Sequence, residues 1–120
     1  KMVGIEKLHN LIELDLTGNK ISCIEGIKSL KSLQKLDLSF NRIAHIPPSM
    51  SYLSQLTHFN LSRNKLENIR DVLNLRQCSN LQKLELKNNP IHKLNHYQPF
   101  IVYYLPQISM LDSRTISETE

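Results

Sequence analysis

Four side chains with oxygen ligands recur along the chain at nearly constant spacing. They are Asp15, Asp37, Asn60 and Glu85, and they are separated by 22, 23 and 25 residues. Such oxygens could coordinate calcium or accept hydrogen bonds from the lysine and arginine side chains of a partner. Calcium is disfavoured if each ligand comes from a separate strand of a flat sheet, since such ligands cannot surround an ion. We therefore interpret this acidic column as a candidate contact surface for a protein.

Other chemistry is not supported by the motifs present. The sequence has no glycine-rich phosphate loop and no nucleophile elbow. His92 and His96 are four residues apart, but they lack cysteine or acidic ligands at metal-binding spacing. The sequence thus predicts no catalytic residue, no metal site and no cofactor, and the protein is not expected to be an enzyme.

A repeated frame positions the acidic column. The frame L-x-x-L-x-L-x-x-N-x-I/L-x-x-I/L occurs four times, with its asparagines at Asn19, Asn41, Asn64 and Asn89. Their spacing falls in the roughly 20–29-residue range of leucine-rich repeats. Each L-x-L segment predicts a short strand with its leucines pointing inward, so that successive strands pair in parallel. We expect strands at residues 13–17, 35–39, 58–62, 83–87 and about 109–111, and buried frame asparagines that bond backbone groups.

The predicted fold class is α/β, a right-handed leucine-rich-repeat solenoid (horseshoe arc) with a parallel concave sheet and a C-terminal helical cap. Residues 11–94 form four repeats, and residues 95–117 form the cap. Residues 1–10 are expected to be the convex half of a truncated upstream repeat, and residues 118–120 the start of a truncated downstream segment. Residues 71–77 predict a helix of about two turns in the third repeat. Pro99 suits the first turn of the cap helix, and Pro106 ends it.

The end of the sequence carries a second, more specific motif, N-P…Y-x-x-F-I/V…L-P-x-L/I-x-x-L-D. It is matched by Asn89, Pro90, Tyr97, Phe100, Ile101, Leu105, Pro106, Ile108, Leu111 and Asp112. With this cap the chain resembles the intracellular 22-residue leucine-rich-repeat class whose best-known member regulates protein phosphatase 1. Similar capped arrays occur in a dynein light chain, a spliceosomal U2 ribonucleoprotein subunit, an mRNA export factor and centrosomal or ciliary proteins such as centriolin. The long third turn and the Ile46-Pro47-Pro48 turn most resemble the centrosomal branch.

The outward positions of the predicted strands form the candidate partner surface. Two columns combine with Phe40, the one large apolar group at the strand ends, and with Arg63 beside it. The predicted partner-binding residues are Glu13, Asp15, Lys35, Asp37, Phe40, His58, Asn60, Arg63, Lys83 and Glu85. Lys20, Arg42 and Lys65 form a further basic column, which is either solvated or a site for an acidic partner tail. The resemblance implies a protein-interaction scaffold; the alternatives are an RNA-associated module and a regulatory subunit that clamps a phosphatase.

Charge and cysteine content limit the partners and the compartment. The net charge is +4, with bases and acids mixed along the whole length, so nucleic acid is an unlikely partner. The longest apolar run, residues 100–105, is far too short for a membrane span. Cys23 and Cys78 lie in different repeats and form no disulfide cap, which favours a reducing compartment. We expect an intracellular, cytoplasmic protein of undetermined oligomeric state, located at the cytoskeleton, centrosome or cilium.

Overall fold

Short strands lie side by side in one sheet at regular intervals along the chain. The computed structural model describes residue 2 and residues 4–116, so the predicted downstream segment at 118–120 lies outside the described residues. The strands are β1 (Glu13–Asp15), β2 (Lys35–Asp37), β3 (His58–Asn60), β4 (Lys83–Glu85), β5 (Met110–Leu111) and β6 (Arg114–Thr115). The first five pair in parallel and in sequence order, which confirms the predicted solenoid. Each strand is shorter than predicted, and the antiparallel β6 was not predicted.

The frame leucines build the core by stacking from one turn to the next. Leu36 and Leu38 of the second turn are 2% and 0% exposed, and Leu84 and Leu86 of the fourth are both fully buried. Leu14 of the first turn is only partly buried, because no described turn stacks on its other side. Burying a leucine stabilises a fold by about 1.5–3 kcal/mol, so these ladders supply the main driving force for the solenoid.

The frame asparagines form a second ladder that joins consecutive turns. The Oδ1 atom of Asn64 accepts a hydrogen bond from the Ile43 N–H at 2.9 Å, and Asn41 and Asn89 make the equivalent bonds. These three asparagines are buried as predicted, at 7%, 6% and 2% exposure. Asn19 is exposed, so its predicted burial is wrong. The ladder reaches back to the preceding turn, and Asn19 has no described turn before it.

Short 3-10 helices make up the convex side. They span Ile5–Lys7, Pro48–Tyr52, Ile69–Leu75 and Pro90–Lys93. The third of these, Ile69–Leu75, takes the place of the helix predicted at 71–77. It begins two residues earlier than predicted, and it is a 3-10 helix. Its N-terminal cap is Asn68, whose side chain accepts a bond from the Arg70 N–H, whereas the Asp71 carboxylate bonds the Ile46 N–H of the preceding turn.

The C-terminal cap consists of helix α1 (Tyr97–Tyr104) and the β5–β6 hairpin. Tyr97 and Ile101 of the helix are 6% and 0% exposed, and Leu105 after it is fully buried. The Tyr97 hydroxyl donates to Asp112 Oδ2 at 2.5 Å, and Asp112 Oδ1 accepts from the Leu86 N–H at 2.7 Å. The carboxylate therefore links the cap helix to the last strand of the repeats. None of the helices in the described part of the chain has the length and apolar character needed to cross a bilayer.

Candidate protein-binding groove

The outward side chain at the start of each strand contributes to a basic column. Glu13, Lys35, His58 and Lys83 are partners in register across β1 to β4, with neighbouring strands about 4.8 Å apart. Glu13 and Lys35 form an ion pair at 4.0 Å with their side chains 67% and 53% exposed. An exposed pair of this kind contributes at most about 1 kcal/mol. The exposed Lys35 and Lys83 make this part of the surface cationic.

Burial and the neighbouring lysine charges lower the pKa of His58. Desolvation of the imidazole is the largest cause, followed by the charges of Lys83 and Lys35, while Glu13 acts in the opposite direction. The folded pKa therefore lies below the ordinary value of 6.5, and the imidazole is mainly neutral at pH 7. Because the unfolded chain binds this proton more readily, the fold loses stability as the pH falls below 6.5.

We expect an NMR titration to place the His58 pKa below 6.5 in the wild-type chain. Lys83→Gln should raise that pKa, because the substitution removes the lysine charge that lowers the His58 pKa most. Glu13→Gln should lower it further. A His58 pKa that is unchanged by Lys83→Gln, or that rises in Glu13→Gln, would contradict this electrostatic account.

The acidic column lies two residues further along the strands. Asp15, Asp37, Asn60 and Glu85 are in register, so like charges face each other between β1 and β2. One carboxylate oxygen of Asp15 and one of Asp37 are also used locally. Asp15 Oδ1 accepts from the N–H and hydroxyl of Thr17 at 2.9 and 2.6 Å, and these bonds lower the pKa of Asp15, the hydroxyl bond most.

Ser39 makes the same two bonds to Asp37, and the Ser62 N–H donates to Asn60 Oδ1 at 2.9 Å. These serines and threonine were not predicted to orient the acidic column, although the spacing Asp-x-Ser/Thr is typical of such turns. Within residues 2 and 4–116, Oδ2 of Asp15 and of Asp37 accepts no hydrogen bond. These two oxygens remain available to a partner.

Together the two columns line a groove of about 390 Å³ on the concave side. Eight predicted partner-binding residues line it, namely Glu13, Asp15, Lys35, Asp37, His58, Asn60, Lys83 and Glu85. One wall is mainly basic and the other mainly acidic. This arrangement suits a protein element that carries both signs of charge, because each wall favours the opposite charge and fixes the orientation of the partner.

The other two predicted residues, Phe40 and Arg63, lie outside this groove at the ends of β2 and β3. Both residues have a left-handed backbone conformation, with φ of 58° and 57°. This conformation costs a non-glycine residue about 1–3 kcal/mol. The Arg63 guanidinium lies 5.1 Å from the centre of the Phe40 ring. Gly18 and Asn88 occupy the same position in the first and fourth turns with φ of 73° and 61°.

His92 and His96, the two histidines at metal-like spacing, pack against different residues. His92 lies 3.7 Å from Asp112 and packs against the edge of the Tyr97 ring, whereas His96 packs on Phe100. No group of three potential metal ligands occurs among the described residues. The histidines therefore have structural neighbours rather than a shared ligand position.

Comparison with known proteins assigns the repeat. A sequence model of the leucine-rich-repeat family matches residues 5–120. The chain belongs to this family. It is a repeat protein and not an enzyme, as the absence of catalytic motifs predicted.

Several relatives of this leucine-rich-repeat protein share one name. The U2 small nuclear ribonucleoprotein A' of Aspergillus fumigatus is 30% identical over 98% of the chain and 46% of its own length. The human U2 small nuclear ribonucleoprotein A' is 29% identical over 89% of the chain and 42% of its own length. The chain thus spans about half the length of the curated relatives it matches.

A solved structure shows the same arrangement of turns. The Drosophila melanogaster SNF/U2A' complex matches with a TM-score of 0.89 and 26% identity, over 99% of this chain and 68% of that one. A Leptospira interrogans leucine-rich-repeat protein matches with a TM-score of 0.77 and 32% identity, over 88% and 26% of the two chains.

These relatives correct two expectations. The expected cytoplasmic location, at the cytoskeleton, centrosome or cilium, is wrong, because the relatives are subunits of a small nuclear ribonucleoprotein. The relatives described above are U2 A' proteins and not members of the predicted phosphatase-regulator class or centrosomal branch. The frame and the cap residues specify the solenoid, so they are poor guides to the branch of the family.

Proposed function

We propose that this chain is the protein-binding module of a ribonucleoprotein subunit and holds a partner protein in the concave groove. The observation that carries the proposal is the pair of oppositely charged walls formed by eight side chains in register. Proteins with a similar sequence are named as ribonucleoprotein subunits, and a similar structure is that of a U2A' protein in complex with SNF. The proposed partner is accordingly a protein of the SNF type, which places one of its helices or a folded domain in the groove.

The groove suits a reversible contact of moderate strength. Its walls consist of charged side chains on short strands that the ladder asparagines and the Asp-x-Ser/Thr bonds already hold in place. A partner therefore meets side chains whose backbone is ordered before binding, which lowers the entropic cost of association. The charged walls should raise the association rate and the salt sensitivity more than the intrinsic affinity.

Calorimetric titration of the purified chain with Drosophila SNF tests the proposal. The double substitution Asp15→Asn and Asp37→Asn should weaken binding roughly tenfold, on the basis of about 0.7 kcal/mol for each exposed charge. Asparagine keeps the Oδ1 acceptor, as Asn60 does in the third turn, so the fold should be retained.

Glu25→Gln and Glu67→Gln form the matched control. Both glutamates are exposed and lie outside the groove lining, so this double variant removes the same two charges and should bind as the wild type does. If the chain does not bind SNF at low salt, the proposed partner class is wrong. If both double variants lose affinity equally, the groove is not the binding surface.

A further inference from the structure

The charges of the chain are segregated by position, although its overall balance is mixed. We define the strand-end edge as residues 17–20, 39–42, 62–65 and 87–90. Each of these four-residue segments begins two positions after the last residue of a repeat strand. These segments carry five cations and no carboxylate, the cations being Lys20, Arg42, Arg63, Lys65 and Lys87. All five are exposed. No salt bridge joins any of them to a carboxylate within the described ranges.

Backbone hydrogen bonds hold the strand-end edge in register. The Gly18 N–H donates to the backbone carbonyl of Ser39 at 3.0 Å. In the same way the Phe40 N–H donates to the Ser62 carbonyl at 3.0 Å and the Arg63 N–H to the Lys87 carbonyl at 2.9 Å. Four turns at about 4.8 Å spacing give a track of roughly 14 Å. A stacked single strand has one phosphate per roughly 3.4 Å, so the track spans about four phosphates.

Phe40 adds an aromatic surface to this cationic track. Its side chain is 53% exposed, and the Arg63 guanidinium lies 5.1 Å from the ring centre. Exposed rings next to cations are the elements on which bases of single-stranded nucleic acids stack. An acidic peptide could pair with the cations, but it would make no specific use of the ring.

The strand-end edge continues into a depression at the C-terminal end of the solenoid. The depression has a volume of about 420 Å³, and its lining includes Lys87, His92, Ser113 and Arg114. Asp112 also lines it, but its carboxylate is occupied by the Tyr97 hydroxyl and the Leu86 N–H. Exposed cations therefore extend from the first turn to the cap.

We propose that the strand-end edge binds single-stranded RNA, with phosphates along the five cations and a base stacked on Phe40. The five cations and Phe40 lie outside the lining of the concave groove, so the inference goes beyond the proposed function and can fail independently of it. It also replaces the expectation that nucleic acid is an unlikely partner. That expectation used the charge of the whole chain, which averages over the cationic edge and the acidic column.

Fluorescence anisotropy with a fluorescein-labelled oligouridylate of about 12 nucleotides tests the inference. The affinity of the wild-type chain should fall between about 50 and about 200 mM NaCl. Three to five phosphate contacts give a slope of log K against log [salt] of about −2 to −3.5. Arg42→Ala with Lys65→Ala should reduce the magnitude of that slope by about 1.4.

Phe40→Asn separates stacking from charge. Asn88 occupies the same left-handed position in the fourth turn, so the backbone accepts asparagine there. The substitution should weaken RNA binding roughly tenfold at constant salt and leave the slope unchanged.

Lys35→Ala with Lys83→Ala is the matched control, because it removes two cations from the groove and leaves the strand-end edge intact. This variant should bind the oligouridylate with the wild-type slope. Three results would overturn the inference: no binding in about 50 mM NaCl, an equal loss in both double variants, or competition by a poly-glutamate peptide at concentrations similar to those of unlabelled RNA.

Discussion

Asn64→Leu should lower the free energy of unfolding by about 2–3 kcal/mol. The Asn64 side chain is 6% exposed. Its Nδ2 donates to the carbonyls of Leu38 and Leu61, both at 3.0 Å, and its Oδ1 accepts from the Ile43 N–H at 2.9 Å. Leucine has a similar branched shape but no polar atom, so the substitution leaves the buried Ile43 N–H without its partner. The Leu38 and Leu61 carbonyls still accept from Asn41 and Asn89, both at 2.9 Å. One unpaired buried group costs about 1–3 kcal/mol.

Asn19→Leu is the control, because Asn19 holds the same place in the frame of the first turn. Asn19 is exposed, and its Nδ2 donates to the Leu16 carbonyl at 2.8 Å. That carbonyl also accepts from Asn41 at 3.0 Å, so it keeps a partner after the substitution. We expect a loss of about 1 kcal/mol or less. Urea unfolding followed by circular dichroism measures both variants, and equal losses would contradict the ladder as the source of the difference.

The contrast between these asparagines shows what a repeat pattern can predict. The frame specifies which residues point inward, because the period of the sequence matches one turn of the solenoid. It therefore predicted the parallel sheet, the buried Asn41, Asn64 and Asn89, and the register of the outward columns. It could not predict the exposure of Asn19, because burial depends on the neighbouring turn and the frame of Asn19 is identical to the others.

Local geometry at the strand ends was harder to predict from the sequence. The outward side chains that line the groove were identified from alternation along each strand. The left-handed backbone at Phe40 and Arg63 turns these two side chains away from that groove, and alternation alone does not describe such a turn. The bonds from Thr17 and Ser39 to the acidic column were likewise missed, although they follow from a short-range spacing that is visible in the sequence.

The branch of the family was the least predictable property. Every branch needs the same leucines and asparagines to stack its turns, so these residues carry no information about the partner. The information lies in the outward columns, where charge can vary without affecting the core. The location was therefore wrongly inferred from features of the turns, such as Ile46-Pro47-Pro48, that belong to the scaffold.

Deletion of the C-terminal cap should have the largest effect of any change considered. The cap contributes five buried apolar or aromatic side chains, Tyr97, Ile101, Leu105, Ile108 and Leu111, each at most 6% exposed. At about 1.5–3 kcal/mol each, their burial is comparable to the total stability of a typical domain, about 5–15 kcal/mol. Removal of residues 97–120 should also uncover Leu86 and Ile91, which are 0% and 1% exposed. Leu94, predicted to be uncovered with them, is already 38% exposed and should contribute less.

The truncated chain should therefore aggregate and lose its cooperative unfolding transition, which size-exclusion chromatography and a thermal melt would detect. Tyr97→Phe is the matched mild variant, because it keeps the ring in the core and removes only the hydroxyl that donates to Asp112. It should remain monomeric and lose about 1.5–3 kcal/mol, the contribution of a hydrogen bond to a charged group. A truncated chain that stays monomeric with an unchanged melting temperature would refute the capping role. Aggregation of Tyr97→Phe to the same extent would show instead that the Tyr97–Asp112 bond, rather than the apolar cover, keeps the last repeat closed.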